Sequence, residues 1–143
     1  MILFACTGCC PPGWVKGGFF CYYIDGSSEV VWSEARKKCQ QKGADLVVIR
    51  SALENSFLYG LINKNTSGSW FGTWLGLEKE AIDSQIVFFW VDGAPLSGKY
   101  SAWARREPSS GFNEKCGLFW GPDSPEPAKW NDSPCDFTIR VQE

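Results

Sequence analysis

The chain of 143 residues contains no histidine. That absence excludes Ser-His-Asp and Cys-His catalysis, and with them any zinc site that uses imidazole. A long basic block is missing too. Fourteen Lys and Arg stand against sixteen Asp and Glu, for a net charge of −2, so nucleic acid and anionic membrane surfaces have no electrostatic footprint to bind. No apolar run is long enough to cross a bilayer, and direct membrane insertion is not expected. No internal repeat is visible. The opening Met1-Ile2-Leu3-Phe4-Ala5-Cys6 is apolar, but it is too brief for the core of a secretory leader and no basic residues precede it.

Aromatic residues are abundant: eight Trp and ten Phe in a chain that is 44% hydrophobic. Most of these rings must be core, because so many exposed ones would aggregate. The length suits one domain with a substantial interior. Seven cysteines point to an oxidising, extracellular setting, whether a secreted protein or the ectodomain of a membrane protein. Such usage without a leader suggests that the chain begins inside a longer protein or that its true start lies elsewhere.

The domain is expected over residues 10–143, with 1–9 as an N-terminal extension. Cys10-Pro11-Pro12-Gly13-Trp14 opens it, Gly17-Gly18 is a turn signal, and Phe19-Phe20-Cys21-Tyr22-Tyr23 reads as a strand. Cys10 and Cys21 either clip this hairpin or remain two buried thiols. Residues 31–41 carry a helical period through Val31, Ala35 and Cys39, with Gly43 as a stop. Leu46-Val47-Val48-Ile49 reads as a short buried strand. Ser51 and Glu54 form a capping box for a second helix through Phe57, Leu58, Leu61 and Ile62. Residues 63–69 read as a polar loop, where Asn65-Thr66-Ser67 is a glycosylation sequon if the protein is secreted. Apolar runs at 74–77, 86–90, 118–120 and 137–139 read as strands. The sum is an α+β domain of two helices and short antiparallel sheets, with a long loop region held by disulfides.

That loop region, residues 103–135, carries the chemistry. Glu107-Pro108-Ser109, then Asn113-Glu114-Lys115-Cys116, then Trp130-Asn131-Asp132 lie among Pro, Gly and Ser, a loop composition. Hard oxygen donors gathered on loops suit calcium, which takes six to eight oxygens. A Cys116–Cys135 bridge would hold these loops in place.

In order along the chain, these pieces resemble the C-type lectin-like domain in its long form. The resemblance rests on Cys10-Pro11-Pro12-Gly13-Trp14 with Cys21, Trp32-Ser33-Glu34-Ala35 with Cys39, Ser51-Ala52-Leu53-Glu54-Asn55 and Trp74-Leu75-Gly76-Leu77. It continues through Phe89-Trp90-Val91-Asp92-Gly93 followed by Trp103, and through the three loop motifs closing on Cys135. It implies disulfides Cys10–Cys21 and Cys116–Cys135 and a cis peptide before Pro108. It also implies a calcium site of Glu107, Ser109, Glu114, Asn131 and Asp132, where two vicinal sugar hydroxyls complete the calcium shell. The sugar-binding set is then Glu107, Ser109, Glu114 and Asn131, with Phe112 as the loop residue placed to touch a ligand. The partners implied are glycans or glycoproteins.

Three positions depart from the pattern. Ser109 replaces the Asn or Asp of the family's Glu-Pro-Asn and Gln-Pro-Asp motifs; its hydroxyl is a shorter donor and has no amide N–H₂ to offer a sugar. Lys115 puts a cation beside Cys116, read as pointing outward. Cys39 lacks the final cysteine with which the family pairs it, and an incomplete chain is the favoured expectation; Cys6, Cys9 or burial as a thiol are the other fates weighed. Glu80 and Asp83 are at most peripheral ligands. Asn131-Asp132-Ser133 is formally a second sequon, expected unmodified. Trp74, Trp90 and Trp130 are assigned to the core. Glu107 and Glu114 as an acid–base pair is the weaker idea, since carboxylates committed to an ion do not exchange protons, and the chain is read as a non-enzyme. The expected function is calcium-dependent, mannose-type carbohydrate binding. The alternative is a protein-interaction module on the same fold.

Overall fold

The computed structural model describes the backbone of residues 2–5, and residues 9–25, 29–66, 68–109, 111 and 113–138 in full. In chain order the elements are β1 Ile2–Ala5, β2 Val15–Gly17, β3 Phe20–Tyr23, α1 Trp32–Gln41, β4 Asp45–Leu46 and α2 Ala52–Asn65. Then follow β5 Gly72–Ile82, β6 Gln85–Trp90, β7 Glu114–Trp120 and β8 Trp130–Pro134. One antiparallel sheet is ordered β2-β3-β1-β4 and the other β6-β5-β7-β8. Residues 2–5, set apart in the sequence as an extension, thus pair with β3 and β4 inside the first sheet.

Both expected bridges form. Cys10 is joined to Cys21 of β3, and Cys116 of β7 to Cys135 just past β8. Cys39 lies buried in α1. Cys6 is outside the described residues.

The first helix begins one residue later than its apolar period suggests. Val31 occupies the cap without a side-chain hydrogen bond. The helix start is secured instead by distant backbone: Trp32 N–H donates to Cys135 O at 3.1 Å and Trp32 Nε1–H to Leu75 O at 2.8 Å. This satisfies an amide that the helix leaves without an internal partner. At α2, Ser51 Oγ accepts from Glu54 N at 3.1 Å. The Glu54 carboxylate reaches one residue further back than a closed capping box requires. It accepts from Arg50 N at 2.8 Å and from the Tyr22 hydroxyl at 2.9 Å.

Three expectations need correction. The buried run 46–49 is strand only at Asp45–Leu46, although Leu46, Val47, Val48 and Ile49 are all buried. Its backbone is drawn instead to Gly76, whose N–H donates to Val47 O at 2.8 Å. A Cβ at Gly76 would stand 2.8 Å from Leu46 O, so this crossing needs glycine. Residues 63–65, read as loop, extend α2, and the Asn65 side chain donates to Leu61 O at 2.7 Å. Phe137 and Thr138 form no strand, because Phe137 N–H turns back to Pro134 O and the Phe137 ring is exposed; Ile139 is outside the described residues.

The interior has two clusters. One gathers Tyr22, Leu58, Ile62, Trp70, Leu75, Leu77, Trp90, Phe119 and Trp130. The other packs Trp32, Cys39, Leu46, Trp74, Cys116 and Leu118. Trp74, Trp90 and Trp130 are core, as assigned. Among the described residues no helix is long and apolar enough to cross a membrane.

Candidate functional site

Trp130 opens β8 and pins the ligand-loop region to the core. It is fully buried. Its N–H donates to Ala102 O and its carbonyl accepts from Ala104 N, both at 2.8 Å. Its Nε1–H donates to Asn55 Oδ1 at 2.9 Å, while Asn55 Nδ2 donates to Ala128 O at 2.9 Å. Trp90, Tyr100 and Trp103 meet the Trp130 ring edge-on with centroids 5.4, 5.7 and 5.9 Å away. Glu107 N–H then donates to Ala104 O at 3.0 Å. An amide on α2 therefore sets β8, and β8 sets the turn that carries Glu107.

Two residues beyond Trp130, Asp132 is also fully buried. It lies opposite Gly117 of β7, the strand that Glu114 begins. The Glu107–Pro108 peptide is cis, as the resemblance implied. Ser109 stands where three carboxylates converge. Its N–H donates to Glu107 Oε2 at 2.7 Å and to Asp132 Oδ1 at 2.9 Å. Its hydroxyl donates to Glu114 Oε2 and lies 3.3 Å from Asp132 Oδ1.

Burial first, and then the adjacent Asp132 carboxylate, push the Glu107 carboxyl above the ordinary carboxylate range; Glu114 adds to the effect. Asp132 Oδ2 is buried and lacks a hydrogen-bond donor. Native structures rarely leave such an atom orphaned. Three carboxylates, one of them with a buried oxygen whose lone pairs are unused, and a hydroxyl are hard oxygen donors of the kind a divalent cation takes. As placed, though, no three Asp, Glu, His or Cys side chains among the described residues are set to hold a metal ion. The carboxylates close on Ser109, so a bound cation would draw on the Ser109 and Asn131 oxygens as well.

The structure thus brings together Glu107, Ser109, Glu114 and Asp132. Asn131 sits beside Asp132 on β8, half-buried and opposite Leu118, and takes no part in the hydrogen bonds around Ser109. Phe112 lies outside the described residues. Lys115 is exposed, in keeping with its outward reading, and Glu80 is exposed toward the far end of β5.

Two contributors went unread in the sequence. Asn55 appeared only as part of a helix motif, although a polar residue on an otherwise apolar helix face hints at such a role. Lys79 of β5 donates to Gly111 O at 3.3 Å and lies 5.8 Å from the Phe88 ring centroid. That contact spans 32 residues, and no local pattern announces it.

A family model described as the lectin C-type domain matches residues 28–141. A perlucin-like protein of Mytilus galloprovincialis is 35% identical over 130 residues, covering 89% of this chain and 76% of that protein. Human asialoglycoprotein receptor 2 is 35% identical over 139 residues, covering 93% of this chain but only 39% of the receptor. Among solved structures, the cow C-type carbohydrate-recognition domain of CD23, determined in the presence of a GlcNAc2Man3 oligosaccharide, superposes with a TM-score of 0.75. It is 32% identical, with 94% of this chain and 92% of that chain covered. The C-type lectin domain of murine dendritic cell inhibitory receptor 2, in complex with N-glycan, gives a TM-score of 0.71 at 32% identity, covering 92% and 94%. With four-fifths of its length matched by the family model and a fold that superposes on a C-type carbohydrate-recognition domain, the chain belongs to the C-type lectin domain family.

Proposed function

We propose that this domain binds glycans through a calcium ion held by Glu107, Ser109, Glu114, Asn131 and Asp132. The observation that carries the reading is the convergence of three carboxylates on Ser109, with Asp132 Oδ2 left buried and without a donor. The ion, when bound, supplies coordination positions for two vicinal sugar hydroxyls. The chain's own residues do the rest: Glu107 and Glu114 accept hydrogen bonds from sugar hydroxyls, and the Asn131 amide donates to a sugar oxygen. Glu107 favours the mannose-type orientation. Two relatives of 32% identity are described with GlcNAc2Man3 or N-glycan, which supports glycans or glycoproteins as partners. Two disulfides suit an extracellular setting.

A second reading, a protein-interaction module on this fold, is favoured by one feature. Ser109 already spends its N–H and hydroxyl on the chain's own carboxylates and has no amide for a sugar.

Melting curves with calcium and with chelator, followed by passage over immobilised mannose and galactose, separate the readings. Calcium raises the melting temperature and retains the protein on mannose until chelator releases it. A calcium shift without retention on either sugar moves the function to the second reading. No calcium shift at all removes the metal site.

A further inference from the structure

We infer that Lys79 of β5 is a positioning residue for the Glu114 side of the candidate site: its ammonium anchors the turn ahead of β7 to the sheet and so fixes where the Glu114 carboxylate stands. The functional meaning of this anchor rests on the calcium reading; its geometry rests on the fold alone.

The sheet stops short of the place where support is needed. On the loop side, the ladder between β5 and β7 ends with Glu78 opposite Cys116. Glu114 lies two residues past that pair, at the start of β7. On its other flank it meets Pro134 of β8, and the register slips between Glu114 and Cys116. A proline brings no N–H to such a pairing, and a slip of this kind disrupts the ladder locally. The strands therefore hold Glu114 less firmly than they hold Gly117 or Leu118.

Lys79, the residue after Glu78, takes over where the ladder ends. Its Nζ donates to Gly111 O at 3.3 Å. The same carbonyl accepts from Glu114 N–H at 3.2 Å, so one oxygen is tied both to β5 and to the amide of a candidate ligand residue. Gly111 also underlies the Glu114 side chain: a Cβ at Gly111 would stand 2.5 Å from Glu114 Oε2. A shift of Gly111 consequently moves Glu114.

The anchor is itself held. Lys79 is half-buried and pairs with Phe88 of β6, whose ring centroid lies 5.8 Å from the ammonium, within cation–π range. The Phe88 ring meets Trp103 at 5.0 Å, and Trp103 meets the buried Trp130. Among the described residues, the ion pairs join Arg36 to Asp45 and Arg50 to Glu54 and Asp92; Lys79 is in none of them. Its ammonium is given to a neutral carbonyl, the mark of a tether and not of a counter-ion. A tethered turn loses less freedom on closing around a ligand, and affinity gains accordingly.

Amide hydrogen exchange at Ser109 and Glu114 in chelator, together with calcium titration of the whole chain, tests the anchor. Lys79→Met keeps the aliphatic stem beside Phe88 and removes the donor. It is expected to speed exchange at both amides about tenfold while the core strands exchange as in wild type, and to raise the calcium Kd about three- to tenfold. Lys79→Arg can donate to the same carbonyl and should restore both readouts most of the way. The difference in Kd persists at about 0.5 M salt, where a through-space charge effect is screened beyond about 4 Å. Unchanged exchange in Lys79→Met overturns the inference, and so does tighter calcium binding by that variant, which would make Lys79 a competitor of the ion. Faster exchange throughout β5 and β7 overturns it as well, by making Lys79 part of the frame. A wild type that takes up no calcium removes the calcium reading alone, and the exchange rates then decide the anchor.

Discussion

Trp130 and Asp132 are two residues apart on one strand, equally buried, and in opposite condition. Every polar group of Trp130 is matched within the chain: N–H, carbonyl and indole N–H all have partners, and aromatic edges surround the ring. Asp132 has one oxygen held by Ser109 and another with no donor, and the Glu107 carboxyl lies close enough for the two to raise one another's cost of ionisation. The first environment is complete as folded. The second is not, and it is where the proposed function places a positive ion; the difference separates the frame of the molecule from its candidate site.

Removing the complete member should do the most damage. Trp130→Ala is expected to cost about 3–5 kcal/mol, read from urea unfolding, with loss of fold at ambient temperature whether calcium is present or not. A folded variant that merely loses ligand binding would mean that Trp130 belongs to the site and not to the frame.

The next effect comes from pH. Burial, with a smaller contribution from Asp45, pushes the Cys39 thiol up to about 11. The native state holds this proton more tightly than the unfolded chain. Stability is therefore full below the unfolded thiol value and is lost as pH rises from about 9 through about 11, by roughly 2–3 kcal/mol. Tyr22, raised by burial and by its bond to Glu54, shifts in the same direction. Cys39→Ala should flatten the alkaline decline in melting temperature; an unchanged decline assigns it elsewhere.

Asn55→Ala tests the pin. It strands the Trp130 indole N–H and the Ala128 carbonyl, for about 1–3 kcal/mol, with the calcium response retained. A change below about 0.5 kcal/mol would show that the aromatic edges suffice.

For the incomplete member the order reverses: function goes and stability stays. Asp132→Asn keeps the shape and removes one of three like charges. In chelator its stability is expected to match wild type or exceed it by up to about 1 kcal/mol, while calcium no longer shifts the melting curve. A variant less stable than wild type in chelator would make Asp132 structural. Smallest of all, Ser109→Asn restores an amide donor and should strengthen retention on mannose about threefold. Unchanged or weaker retention would count against the role assigned to Ser109.

Much of the frame was legible beforehand because its signals are local. The helical period through Val31, Ala35 and Cys39, the Ser51 cap and the apolar runs at 74–77 and 86–90 each occupy a few consecutive residues. What escaped was non-local. The run 46–49 looks like a strand, yet its backbone is committed to Gly76. Asn55 looks like one more polar residue on a helix, yet it holds Trp130 across 75 residues. Ser109 looks like a substitute ligand, yet it is the group to which all three carboxylates turn.

By itself the amino-acid order determined which chemistry was open to this protein. No histidine, hard oxygen donors in loop-like stretches and seven cysteines are facts of composition and order, and they need no coordinates. Only the tertiary structure decided that Glu107, Glu114 and Asp132 face one another. That meeting depends on β7 and β8 pairing in one register and on Asn55 gripping Trp130. Both are contacts between distant segments, which the close packing of the whole interior selects and no short window of sequence contains.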